Sequence, residues 1–308
     1  MSSTTIDGAA PTTSVGRATL LVVFSACTFG SIAILVTLAT RVGARLVEVL
    51  AWRFLLASVL LALVAGGPAV VRREARRGLP LVLLAGGGQA VIGGLSLSAL
   101  RYVSAATMIF LFYTYPAWVT VISAARGKEP LTGSRVLALV LSLAGIGVMV
   151  GLPGTGASSV ATPGVLLALG GALLYALYIP MIDHFGRELP PALTATFATS
   201  GAAVILSGVA VVTGGFAARQ PAIVWMVILV LAIACTVLGF LAFLRGLATI
   251  GPVRTAIVST VEPFWGAFLA SVVLAQPLAA RTMTGGMLVA AAVIILNLPP
   301  RSDAPAVA

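Results

Sequence analysis

Between residues 18 and 298 the chain is a succession of ten apolar stretches: 18–40, 46–66, 79–100, 103–125, 133–151, 161–183, 191–213, 222–247, 252–274 and 281–298. Only short polar, glycine or proline breaks separate them. Most reach the roughly 20 residues a helix needs to cross a hydrocarbon layer about 30 Å thick. In lipid every backbone polar group must be satisfied internally, which leaves helices or closed barrels. Barrel strands are alternating segments of about ten residues, unlike these runs. The expected fold is an all-α integral membrane protein of ten transmembrane helices.

Charge usage agrees. Only 8% of the 308 residues are charged and 60% are hydrophobic, whereas soluble domains carry about 25% charged residues. The net charge of +10 is scattered through the gaps between runs, not gathered on the basic face that nucleic acid requires. Cys27 and Cys235 both lie inside apolar runs and the chain has one histidine, so neither a disulfide framework nor a metal site is expected. Phe24-Ser25-Ala26-Cys27 has the form of a lipoprotein cleavage box, but the apolar run continues to residue 40 and reads as a spanning helix. No G-x-x-x-x-G-K-[ST] or H-E-x-x-H occurs, and no cofactor is expected.

With the N-terminus inside, twelve basic residues fall on the inner side, dominated by RREARR at 72–77, and five on the outer: Arg41, Arg45, Arg101, Arg219 and Arg281. The positive-inside rule places both termini in the cytoplasm of a plasma-membrane protein. The stretch 151–164 reads as a linker between two halves. YPAW at 115–118 matches EPFW at 262–265 with an offset of 147, and Pro130-Leu131 matches Pro277-Leu278 at the same offset. FGS at 29–31 matches YAL at 175–177 after a small indel. Five helices per half is an odd number, so the second copy enters from the opposite side: an inverted-topology repeat, a hallmark of secondary transporters. The expected division is 1–17 and 299–308 as cytoplasmic tails, 18–151 and 161–298 as repeats, and 152–160 as linker.

The stretch 99–118, ALRYVSAATMIFLFYTYPAW, with GKEPLTG at 127–133, resembles the first repeat of EamA-type transporters of the drug/metabolite transporter superfamily. LRGLATIGPVRTAIVSTVEPFWGAF, with VVLAQPL at 272–278, resembles the second, and WRF at 52–54 resembles the family's second-helix arginine. The likeness spans nearly the whole chain and implies ten helices, cytoplasmic termini and export or exchange of small metabolites. One departure is Gln276, where the family often has a glutamate before the tenth helix's proline, as Glu129 stands before Pro130.

The candidate site residues follow from cost. Glu262 lies about ten residues into the ninth stretch, on the order of 15 Å deep, where a charge costs on the order of 3 kcal/mol on insertion scales and marks a functional group by default. Ser259 and Trp265 stand three residues either side of it, sharing a helix face. The repeat places Phe112, Tyr115 and Trp118 at the equivalent positions. Pro116 and Pro263 each free a carbonyl one turn back and bend their helices, and breaks at matching places in two halves point to a transporter site. Arg53 in the second helix either faces the cavity, where it binds an anionic group or neutralises Glu262, or snorkels outward. Gln89, Tyr175 and Tyr178 complete the expected pocket. Glu262 is then either a proton- or substrate-binding group or a structural acid bonded to a neighbouring helix.

The expected function is a secondary active transporter of small metabolites, amino acids or drugs by alternating access, with protons as the coupling ion. An uncoupled carrier or channel is the alternative. An integral membrane enzyme would need a nucleophile, metal or acid/base pair at depth. Glycine clusters at 86–94 and 145–151 allow close helix approach, within the chain or in a homodimer.

Overall fold

The computed structural model describes residues 12–126, 132–150, 161–186, 188–214 and 220–297. Glu129 and Arg219, linker residues 151–160, residues 1–11 of the expected N-terminal tail and the whole C-terminal tail lie outside them, whereas 12–17 are not tail but the first turns of a helix. All regular structure among the described residues is helical. The first half contains α1 (Thr12–Gly30), α2 (Ile32–Arg41), α3 (Leu46–Val64), α4 (Pro68–Arg73), α5 (Ala75–Pro80), α6 (Gly86–Ser98), α7 (Ala105–Phe112), α8 (Tyr115–Ala125) and α9 (Gly133–Val150). The second contains α10 (Thr162–Gly186), α11 (Pro191–Val212), α12 (Ala222–Val230), α13 (Gly239–Ser259), α14 (Val261–Leu274) and α15 (Ala280–Asn297). π-helical turns at Leu81–Ala85 and Leu231–Leu238 join α5 to α6 and α12 to α13 without a break.

Five continuous stretches are long and apolar enough to cross a membrane: Val15–Arg41, Leu46–Val64, Ala75–Arg101, Pro191–Val212 and Ala222–Gly246. Five shorter apolar helices stand in the remaining expected positions. Three expectations need correction. RREARR is not a loop: Arg72 and Arg73 end α4, and Arg76 and Arg77 lie in α5. The sharp turn comes earlier, at Gly66 and Gly67, with φ of +107° and +88°, a region glycine enters without a Cβ penalty. The separation of the eighth and ninth helices at 248–251 is also absent. α13 runs through Pro252 to Ser259, and the chain breaks at Thr260. Glu262 therefore sits in the first turn of α14, not ten residues inside a continuous helix.

The core is built from pairs that cross between the halves. α3 packs most extensively on α11, α9 on α15, α1 on α13 and α6 on α10. Exchanging the halves maps the first two pairs onto themselves and the last two onto each other. Small residues permit these approaches. A Cβ at Gly86 would come within 2.5 Å of the Gly201 Cα, and one at Gly145 within 2.6 Å of the Gly285 carbonyl oxygen. Two of the expected glycine clusters thus serve contacts inside the chain.

Candidate functional site

Both helices that carry the matching prolines are broken just before them. In the first half the break is Tyr113-Thr114 between α7 and α8, with Pro116 in the first turn of α8. In the second it is Thr260 between α13 and α14, with Pro263 in the first turn of α14. Proline has no N–H, so Pro263 cannot satisfy the carbonyl four residues back, that of Ser259. The hydroxyl of the buried Tyr113 donates to that carbonyl. One broken helix thus supplies the donor the other lacks, and the two breaks are joined.

The breaks open onto a cavity of ≈ 290 Å³, close to the lower bound of about 300 Å³ for small-molecule sites. Eight of the twelve residues singled out from the sequence line it: Glu262, Ser259, Phe112, Tyr115, Arg53, Gln89, Tyr175 and Tyr178. Trp265 does not. It stands on the far side of the Thr260 break from Ser259, and its indole Nε1 donates to Ser31 Oγ at 3.1 Å. Trp118, Pro116 and Pro263 also lie off the cavity wall; the prolines act on backbone shape.

Aromatic rings form one side. Tyr113 meets Tyr115 at 5.7 Å between centroids, Tyr115 meets Tyr175 edge-on at 4.8 Å, and Tyr175 stacks on Tyr178 at 5.9 Å. Phe112 joins Tyr175 at 5.2 Å. Phe29, the repeat equivalent of Tyr175, lines the cavity from α1 and meets Phe243 at 6.4 Å. Phe29 was within reach of the sequence, since the repeat pairs the two positions.

The two ionisable side chains are held apart. Glu262 is placed by a glycine contact: a Cβ at Gly30 would come within 2.6 Å of the Glu262 carbonyl oxygen, so the end of α1 can abut the start of α14 only without a side chain. Arg53, on α3, is 8% exposed. Its Nε donates to Thr236 Oγ1 at 2.9 Å, and Thr236 in turn donates to the Leu231 carbonyl at 2.8 Å. That second bond spans five residues, inside the π-helical turns that bring Thr236 to the cavity. No ion pair within 4.0 Å joins Arg53 to Glu262, so the neutralised-pair alternative does not hold in this structure. Tyr113 and Thr236, like Phe29, are site residues the sequence reading missed. No three of His, Cys, Asp and Glu gather as metal ligands among the described residues.

A larger cavity of ≈ 950 Å³ has Arg41, Arg45, Arg101 and Gln276 on its wall, and Leu97 borders both cavities. Arg41 reaches the Leu274 carbonyl at 3.4 Å, and Arg45 the Thr213 carbonyl at 2.9 Å. Gln276, the departure from the family pattern, accepts from the Ala105 N–H at 3.1 Å and so ties the end of α14 to the start of α7.

No curated protein sequence matches the chain. A solved crystal structure superposes with a TM-score of 0.63 at 19% identity, over 91% of this chain and 96% of that one, which shows a shared fold. The sequence profile of the EamA-like transporter family matches twice, over residues 16–151 and again over 162–298. With long apolar helices and two copies of that repeat, the chain belongs to the EamA-like transporter family and is a multi-pass membrane transporter of the drug/metabolite transporter superfamily.

Proposed function

We propose that the protein is a secondary active exporter that works by alternating access, with the ≈ 290 Å³ cavity as its solute site. The observation that carries the proposal is the junction of two broken helices at that cavity, with Glu262 on its wall and no ion pair to its carboxylate among the described residues. Discontinuous helices at corresponding places in two repeats are where such carriers bind their cargo. A carboxyl group facing a cavity at membrane depth can be loaded with a proton or with a cationic group. In our reading the five long and five shorter apolar helices are ten spans, the second half inverted relative to the first. Residues 18–151 and 161–298 are the repeats, and both tails lie in the cytoplasm of a plasma-membrane protein. Helix pairing that maps onto itself when the halves are exchanged supports this arrangement. The wall bearing Arg41, Arg45 and Arg101 is then the outer vestibule. Pro116 and Pro263 shape the breaks about which the halves rock.

The test is proton flux in liposomes holding the purified protein, beside Glu262→Gln, across a library of amino acids and cationic drugs. Solute-triggered proton movement in the wild type that the variant loses supports coupling at Glu262. The same movement in both removes Glu262 from that role, and downhill transport without proton movement would leave an uncoupled carrier.

A further inference from the structure

The larger cavity, of ≈ 950 Å³, is cationic at one end and apolar along its length. The cationic end lies where helices finish or begin: Arg41 closes α2, Arg45 caps α3, Arg101 ends the turn after α6, and Gln276 follows α14. Three guanidiniums meet one carboxylate there. Glu48 lies 3.5 Å from Arg45 and accepts from Gln220 at 2.7 Å, and no other acid among the described residues pairs with any of the three. Arg41 reaches a neutral carbonyl, that of Leu274. Arg101 is exposed and takes no acceptor among the described residues. The rest of the wall is hydrocarbon. α3 and α6 both pack on α11 but touch each other little, and the groove between them carries Leu50, Val91, Leu95, Ile205 and Val209. Ten residues separate Val91 from Arg101 along α6 and its last turn, about 15 Å by helix rise. That is half of a hydrocarbon layer about 30 Å thick, so the groove runs from the headgroup level of one leaflet to the middle of the membrane. Val91, Ile205 and Val209 are exposed within it, and a Cβ on Gly94, also on its wall, would meet nothing within 4 Å.

We infer that this groove is a lipid site: it takes an anionic phospholipid from the leaflet at that end, with the phosphate on Arg41 and Arg101 and an acyl chain laid between α3 and α6 over α11. Two features choose the occupant. The excess of guanidinium over carboxylate calls for an anion, and the planar fork of arginine matches phosphate oxygens in pairs. Basic pockets between spanning helices bind anionic headgroups on the same grounds. The long apolar wall then selects an anion that brings hydrocarbon with it, because a small hydrophilic anion would leave that wall against water. Arg45 is already engaged by Thr213 and Glu48 and holds the rim together, which leaves Arg41 and Arg101 for the ligand. A chain in the groove passes Leu97, which also borders the smaller cavity, so a bound lipid lies beside the proposed solute site without entering it. The inference needs only that the chain spans a membrane, and it stands whatever the smaller cavity carries.

The experiment is native mass spectrometry of the full chain, delipidated in detergent and titrated with phosphatidylglycerol or with phosphatidylcholine of the same acyl chains. Two arginines without an acid partner correspond to on the order of ten-fold in Kd, so the wild type should bind phosphatidylglycerol at least that much more tightly. The double variant Arg41→Gln with Arg101→Gln should bring the two lipids to within about three-fold. Arg72→Gln with Arg73→Gln, which removes exposed charge from α4 instead, should leave the preference intact. Gly94→Leu fills the groove while keeping the arginines and should weaken both lipids several-fold. Gly147→Leu, at another glycine with nothing within 4 Å of its Cβ, should weaken neither. Glycerol 1-phosphate, the headgroup anion without chains, should bind at least ten-fold more weakly than the lipid. Equal binding of the two lipids by the wild type overturns the inference. So does a preference that survives the Arg41 and Arg101 changes in a protein with unchanged elution profile and helical spectrum, or one lost with Arg72 and Arg73, because the headgroup is then read elsewhere. Unchanged lipid affinity in Gly94→Leu overturns the seat of the chain, and glycerol 1-phosphate bound as tightly as the lipid makes this a small-anion site and defeats the lipid reading. None of these outcomes touches the proton-flux assay, which reads the smaller cavity.

Discussion

The bond between the two helix breaks can be tested by giving the second break its own donor. Tyr113 is 3% exposed, and its hydroxyl satisfies the Ser259 carbonyl that Pro263 leaves without an N–H. Tyr113→Phe keeps the ring and its contact with Tyr115 but strands a part-buried acceptor, at a cost of about 1–3 kcal/mol. Pro263→Ala restores an N–H four residues after Ser259, and Thr260 already has near-helical dihedrals of −63° and −11°. A continuous turn can therefore form there without rearrangement. In the Pro263→Ala background Tyr113→Phe should cost less than about 0.5 kcal/mol, giving a coupling energy of about 1 kcal/mol or more between residues on different helices. The assay is reversible unfolding of the purified protein in mixed micelles, followed by helical circular dichroism, for wild type, both single variants and the double variant. Equal cost of Tyr113→Phe in both backgrounds refutes the claim that the tyrosine substitutes for the missing proline donor. Transport measured alongside should fall in Pro263→Ala even where stability is unchanged, because a continuous helix removes the break about which the halves rock.

Gly30→Ala places a methyl group against the Glu262 carbonyl and should cost about 1–3 kcal/mol through overpacking. Gly16→Ala, with nothing within 4 Å of its Cβ, should be neutral or slightly stabilising; equal effects in the same melts would refute the close approach of α1 and α14. Thr236→Val preserves shape but leaves Arg53 without its protein acceptor. Solute-driven transport should fall several-fold while the helical spectrum is kept, read in liposomes beside the wild type. In a cysteine-free background, Arg72→Cys should react with an impermeant maleimide only in inside-out vesicles and Arg101→Cys only in intact cells. Labelling of both from one side would refute the crossing of the span between them and the orientation given to the first half.

The helices were legible because spanning lipid leaves few alternatives, and 20-residue apolar runs are read directly from composition. Their exact ends were not. Gly251-Pro252 looks like a boundary, but one proline removes one hydrogen bond, and the helix runs on to the point where Pro263 frees a second carbonyl. That shift also separates Ser259 from Trp265, which helical spacing had placed on one face, and sends Trp265 to Ser31. The eight cavity residues foreseen are those whose polarity or repeat position made them conspicuous. Thr236 was not conspicuous, because a threonine in an apolar run ordinarily satisfies itself on its own helix, and only the π-helical turns aim it at Arg53. Tyr113 was hidden beside Tyr115, its role resting on a carbonyl 146 residues away.

The pairing of helices across the halves has a consequence for how the chain is made. α3 carries Glu48 and Arg53, both buried in the finished protein, and each takes a partner from the second half, Glu48 from Gln220 and Arg53 from Thr236. Synthesis at roughly 5–20 residues per second leaves α3 in the membrane for on the order of ten seconds before α11 emerges, and α9 waits for α15, the last helix of all. Insertion must therefore precede packing. During that interval Glu48 has Arg45 one turn away, but Arg53 has no Thr236 to accept from it, so the machinery that inserts the chain, or a transient partner beside it, has to shield that arginine until the second half arrives.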